Sequence, residues 1–331
     1  MGSTSVQSDD GHRPTPELPL APSARQPLIL RLWAWLWSRF GPKMWLLYLV
    51  LYAASLLFGR SLVVTGEIRL GLKDVAGGMA AMALFLLIRV VDEHKDFEQD
   101  CKSSPDSVLA RGEVTLGHLR VVGGVALALQ VGVLLWLEGG FGVTTLAWAG
   151  VVLWVFALAL LTGKWLEERF LLLTIVHVSS FSLAIVWLIQ MGARPEVFPA
   201  GATWLVALSL LSAAAFEVTR KTHGPEEEPA EAPSFSKLWG PRSAALASGL
   251  LLLAGAGALI VVLRGLGCLS WWWPVLVALT YIVALVSLGR FAAAPSRPGY
   301  KRNQLGVALA LLGSHSLVVV GVAVERGLTW S

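Results

Sequence analysis

Nine apolar runs, each close to the length of a membrane span, lie near 44–59, 74–91, 119–138, 142–162, 170–191, 201–219, 243–264, 271–289 and 304–324. An α-helix rises about 1.5 Å per residue, so about 20 apolar residues cross a hydrocarbon layer of about 30 Å. The runs are continuous rather than alternating. That pattern reads as helices that satisfy their own backbone in lipid and not as strands of a barrel. A chain of 331 residues that is 55% hydrophobic and 15% charged also carries more apolar sequence than one soluble core absorbs. The expected fold is all-α, a multi-pass integral membrane protein of about nine transmembrane helices.

The flanks fit this expectation. Residues 1–27 are rich in Pro, Ser and charge and lack the basic start and apolar centre of a signal peptide, so they read as a disordered cytoplasmic tail. The next segment, 28–40, alternates Trp with aliphatic residues between Arg31 and Arg39. It is too short to cross and reads as an interfacial amphipathic helix. Residues 41–326 form the nine-helix domain and 327–331 a short tail. Lys and Arg counted over the connecting segments number 19 on the N-terminal side and six on the other, with Arg89 inside a span. The excess places the N-terminus in the cytoplasm, in a bacterial-type cell membrane. This inward charge accounts for the net +4 without a nucleic-acid partner. The two cysteines, Cys101 and Cys268, fall on opposite faces and suggest neither a disulfide nor a thiolate metal site.

The second apolar run ends in IRVVDEHKDFEQD, residues 88–100. Asp92, Asp96 and Asp100 recur every four residues, so a helix continuing through them would line them on one face, with Glu93 beside the first. Stacked like charges repel, which points to a cation between them. Carboxylate oxygens so arranged suit Mg²⁺, which shares its remaining positions with water and substrate phosphates. A solvated helix end, its acids paired with His94, Lys95 and Lys102, is the plainer reading. The sixth run ends similarly in LLSAAAFEVTRKTHGPEEE, where Glu217 emerges from apolar sequence on the same side of the membrane. Two acidic exits at corresponding places suggest a weak internal repeat with a site between its halves. The later run Glu226, Glu227, Glu228 reads as linker.

These motifs resemble the UbiA superfamily of intramembrane prenyltransferases. DEHKDFEQD is similar to the family's NDxxDxxxD, with Asp92 and Glu93 in the places of Asn and Asp and with Asp96 and Asp100 in register. SPDSVLARGEVT and SFSKLWGPRSA are similar to the segments after the first motif and at the start of the seventh helix. The second motif departs from the family's DxxxD, having Glu217 followed by Arg220 and Lys221. The resemblance implies a helical bundle around a central cavity and Mg²⁺ held by Asp92, Asp96, Asp100 and Glu217, which also form the catalytic set. Glu93, Lys95, Lys164, Arg220, Lys221 and His177 would contact substrate. It further implies Mg²⁺-dependent transfer of a prenyl group from an isoprenoid diphosphate to an aromatic or lipid acceptor within the membrane. Phe85, Trp154, Phe156 and Phe216 are candidate walls for the allylic cation, and His177, Ser179 and Ser180 are candidates to position an acceptor. Ser314, His315 and Ser316 read more simply as helix-to-helix hydrogen bonding. Two alternatives stay open: cyclisation of the prenyl chain by a membrane terpene synthase, and non-catalytic cation binding or transport. No phosphate-binding glycine loop, paired-histidine zinc signature or nucleophile elbow is present.

Overall fold

The structure is a computed structural model and describes residues 26–161, 169–194, 198–228 and 233–331. In chain order the elements are α1 (Leu28–Arg39), α2 (Pro42–Ser61), β1 (Ile68–Leu70), α3 (Leu72–Lys95), α4 (Phe97–Ser103), α5 (Leu116–Glu138), α6 (Val143–Leu161), α7 (Phe170–Ala193), α8 (Thr203–Arg220), α9 (Phe235–Trp239), α10 (Pro241–Leu266), α11 (Trp272–Ala293), α12 (Arg297–Arg326) and β2 (Leu328–Trp330). Among the described residues nine helices are long and apolar enough to cross a membrane, and each overlaps one of the nine runs. The protein is an integral membrane protein built as a helical bundle.

Local chemistry sets the helix ends. Proline opens α2 and α10, where its missing N–H costs no hydrogen bond. Gly139 closes α5 and Gly267 closes α10 in the left-handed conformation, at φ 70° and 95°. The tight α5–α6 turn is fixed from within by Glu138, whose carboxylate accepts from the backbone of Gly142, Thr144 and Thr145 at 2.8–3.1 Å. A carboxylate there both caps the free amides of α6 and complements its dipole.

Packing divides the bundle into two rings that meet where α2 packs on α12 and α7 on α8. In one ring α2, α3, α5, α6 and α7 follow one another; in the other, α8, α10, α11 and α12 do. The α2–α7 seam brings the two backbones together at glycines. A Cβ on Gly59 would overlap the Ile189 carbonyl, and one on Gly192 the Leu56 carbonyl. Small residues at such a seam are how helices gain contact in lipid, where tails compete equally for apolar surface. On the face away from the acidic helix ends, Arg60 holds Asp74 through two bonds of 2.6 and 3.0 Å. Arg194, whose guanidinium burial holds below its usual basicity, donates to the terminal carbonyls of Leu137 and Met191.

Two sequence expectations are corrected. Residues 328–330 are not a loose tail: they form β2, paired in parallel with β1 in the register Ile68↔Leu328, Arg69↔Thr329, Leu70↔Trp330. The connection after α2 and the chain end are both short extended segments on one face, and each supplies the backbone partner the other lacks. The second correction concerns the acidic motif. The helix does not run evenly from Asp92 to Asp100; α3 ends at Lys95, and Asp96, at φ −98° and ψ 9°, turns the chain into α4.

Gly59→Ala and Gly192→Ala are each expected to lower stability by about 1–3 kcal/mol through overpacking against backbone. Gly124→Ala, with open space around the new methyl, should stay within about 0.5 kcal/mol of the parent or gain stability. Thermal unfolding of purified variants in detergent checks this.

Candidate active site

A cavity of about 300 Å³ opens between the two rings, at the end of the bundle where α3 and α8 finish. Its polar lining consists of Asp92 and Lys95 from α3, His177 and Ser180 from α7, Glu217 from α8 and the Tyr48 hydroxyl from α2. Its remaining wall is aliphatic and aromatic. Tyr48 and Phe85 stack with centroids 3.9 Å apart and planes within 8°, and Phe181 and Phe216 join them. The site therefore has one polar end and one oily end.

The carboxylates at this end differ in one respect that decides their chemistry. Glu93, fully buried, takes Arg39 Nε at 2.9 Å and Arg89 Nη2 at 2.7 Å on the same Oε1. Asp100 takes Arg39 Nη2 at 3.1 Å, with Arg89 Nη2 at 3.9 Å. The kink at Asp96 has its physical cause here: α1 and α3 present two guanidiniums that draw Glu93 and Asp100 to one side, away from the cavity. Glu217 is likewise occupied, with Arg220 Nη2 at 2.9 Å from both oxygens and Lys221 Nζ at 2.8 Å from Oε1. Lys221 also stands over the Phe170 ring, 4.9 Å from its centroid. Asp96 is 44% exposed, lies 3.5 Å from Lys95 Nζ and does not line the cavity. Asp92 alone of these acids lines the cavity and makes no hydrogen bond or ion pair among the described residues.

His177 presents a defined nitrogen. Its Nδ1 lies 3.1 Å from the Leu173 carbonyl, which only a protonated Nδ1 can satisfy. In the neutral ring Nε2 is then left as an acceptor beside the cavity.

The structure thus brings Asp92, Lys95, His177 and Glu217 to one cavity, with Arg220 and Lys221 bonded to Glu217. Glu93 and Asp100 lie apart, with the arginines, and Lys164 falls outside the described residues. Phe85 and Phe216 line the cavity, whereas Trp154 and Phe156 are 36% and 41% exposed and outside it. Tyr48 and Phe181 were missed. Tyr48 sits one helical turn from Met44 on the same face of α2, a signal available in the sequence. His315 is fully buried against Ser209, its Nε2 at 2.9 Å from the hydroxyl, and acts as the expected helix-to-helix tie.

Neither a scan against protein-family models nor a search of curated proteins finds a match. Among solved structures, a digeranylgeranylglyceryl phosphate synthase in membranes superposes with a TM-score of 0.61, over 90% of this chain and 99% of that one, at 15% identity. The likeness is one of fold: this chain shares the helical-bundle architecture of that protein. Within the bundle, the cavity between α3 and α8 is the one that two acidic helix ends share.

Glu93 and its two arginines are a structural unit. Arg89→Met should destabilise the protein by about 1–3 kcal/mol, because a buried carboxylate loses one of its charged donors. Asp96→Asn, at a half-exposed position, should shift stability by no more than about 0.5 kcal/mol. Thermal unfolding of the two variants side by side separates these outcomes.

Proposed function

We propose that this protein transfers a prenyl group from an isoprenoid diphosphate to a lipid or aromatic acceptor inside the membrane. The observation that carries the reading is Asp92: an unpaired carboxylate on an apolar, aromatic-walled cavity, flanked by Lys95 and by the Glu217–Arg220–Lys221 cluster. An isoprenoid diphosphate is a long apolar chain with a dense anionic head, and the two ends of the cavity match its two ends. The similar solved structure is named for a lipid phosphate bearing geranylgeranyl chains, which favours a lipid acceptor.

Fewer carboxylates are free to take a metal ion than the motif suggested. Glu93, Asp100 and Glu217 are already neutralised by protein cations, and no group of three His, Cys, Asp or Glu among the described residues is arranged to hold an ion. Mg²⁺ nevertheless suits a site with one or two carboxylates completed by phosphate oxygens and water. Asp92, with the half-exposed Asp96 in the next turn, would supply them. Bound there, the ion would neutralise charge on the departing diphosphate.

The chain's own groups do the rest. Lys95, Lys221 and Arg220 stabilise the negative charge that builds as the allylic C–O bond breaks and its electron pair leaves with the diphosphate. Tyr48, Phe85, Phe181 and Phe216 face the carbon cation, each contact contributing about 0.5–2 kcal/mol. The acceptor's lone pair forms the new bond, and its proton passes to His177 Nε2. The apolar wall keeps water from capturing the cation first.

Purified protein incubated with Mg²⁺, labelled prenyl diphosphates and lipid extract should release pyrophosphate and form a prenylated lipid. Asp92→Asn is expected to reduce release by about 100-fold or more. Glu228→Ala, which removes only a bond to Ser234, should stay within about twofold of the parent. Equal rates in the two variants would remove Asp92 from the chemistry. Release that yields a cyclic hydrocarbon with no acceptor would replace transfer by cyclisation.

A further inference from the structure

The outer faces of α11 and α12 enclose a second cavity, an open groove of about 590 Å³. Its floor lies where Gly306 meets the backbone of Ala284, so close that an added Cβ would sit 3.1 Å from the Ala284 Cα. A hydrogen bond of 2.6 Å from Ser287 to Asn303 ties the two helices beside it. Its walls are apolar and turned outward: Ile282, Val283, Val286, Leu305 and Leu309 are 46–60% exposed. From Ile282 to Arg290 the wall rises about 12 Å along the helix axis.

The polar end of the groove is entirely basic. Arg290 and Arg302 both line it, no carboxylate does, and neither guanidinium has a hydrogen bond or ion pair among the described residues. Elsewhere at this end of the bundle the acids have drawn their cations in: Arg39 and Arg89 hold Glu93, Arg220 and Lys221 hold Glu217, and Arg297 holds Glu227 at 2.7 Å. Two uncompensated guanidiniums above an outward apolar trough match one ligand chemistry, a phosphate monoanion carrying fatty chains. Guanidinium and phosphate pair through two parallel hydrogen bonds, and basic pockets between transmembrane helices bind anionic lipid headgroups.

The position gives such a ligand a consequence. Ser296, at the start of α12, lines the groove, and Gly224 packs so close to the Ser296 backbone that an added Cβ would sit 3.3 Å from it. Four residues on, Tyr300 donates to the Arg220 carbonyl at 3.1 Å and packs its ring against His223, with centroids 4.7 Å apart and planes tilted by 36°. The first turn of α12 therefore stands between the groove and the segment that follows Glu217.

We propose that the α11–α12 groove binds an anionic phospholipid of the surrounding bilayer, its phosphate on Arg290 and Arg302, and that this lipid steadies the segment 221–228 behind the cavity. The binding half stands independently of the proposed reaction, since its test uses no prenyl substrate. The full chain in detergent, mixed with equal phosphatidylglycerol and phosphatidylcholine and analysed by native mass spectrometry, should retain phosphatidylglycerol about tenfold over phosphatidylcholine. The doubly substituted Arg290→Gln, Arg302→Gln protein should lose that preference, and Arg264→Gln, at the opposite end of α10, should keep it. Leu305→Trp, which fills the trough and leaves both arginines, should reduce retention of either lipid at this site. Equal retention of the two lipids by the parent protein, or an undiminished preference in the double variant, overturns the site. In nanodiscs, backbone hydrogen exchange over 221–228 should be slower with phosphatidylglycerol than with phosphatidylcholine in the parent protein only. Identical exchange in both lipids overturns the coupling.

Discussion

The pairing of charges at one end of the helical bundle governs what this protein can bind. An ionised side chain at the edge of a bilayer has little water to stabilise it and must find a counter-charge, move outward or stay as a site. Glu93 and Asp100 find Arg39 and Arg89, and Glu217 finds Arg220 and Lys221. Asp96 turns outward to 44% exposure. Asp92 does neither, and it is the acid on the cavity wall that no protein cation holds. On the opposite flank Arg290 and Arg302 share one groove with no carboxylate beside them. Asp92 and this arginine pair are the groups on which the two proposed ligand sites rest.

The pairing also sets the charge at the end of α8. Where two carboxylates were expected at the end of α8, there is one carboxylate and two cations, bonded to each other and carrying a net positive charge. In the proposed reaction such a cluster would face a diphosphate favourably by itself and supply part of the neutralising charge that a larger acid set would delegate to metal ions. In DEHKDFEQD the second acid, Glu93, lies fully buried against two guanidiniums, where it braces α1 on α3.

Much of this architecture was legible in the sequence because apolar length is a local property. All nine spans were found, and the Glu138-capped turn between α5 and α6 separates the runs read at 119–138 and 142–162. Asp92 and Glu217 were legible too, as acids emerging from apolar runs at corresponding places. What was not legible depends on distant partners. The kink at Asp96 follows from Arg39, which lies over fifty residues earlier in α1, and four-residue spacing carries no information about it. The pairing of β1 with β2 joins segments some 260 residues apart, and three-residue strands have no pattern to detect. Aromatic residues were divided correctly only in part, since every span offers several and only packing decides which face inward: Phe85 and Phe216 do, Trp154 and Phe156 do not.

In the proposed reaction Asp92 and the Glu217–Lys221 cluster hold the head of a prenyl diphosphate from two sides of one cavity. The most direct measurement is an electron cryomicroscopy structure of the protein in nanodiscs with Mg²⁺ and an unreactive prenyl thiodiphosphate. Density for the two phosphates between Asp92 and Lys221, with the chain running past Phe85 and Phe181, is the expected result. Phosphate density bound elsewhere, with the cavity filled by lipid tails alone, would contradict the account.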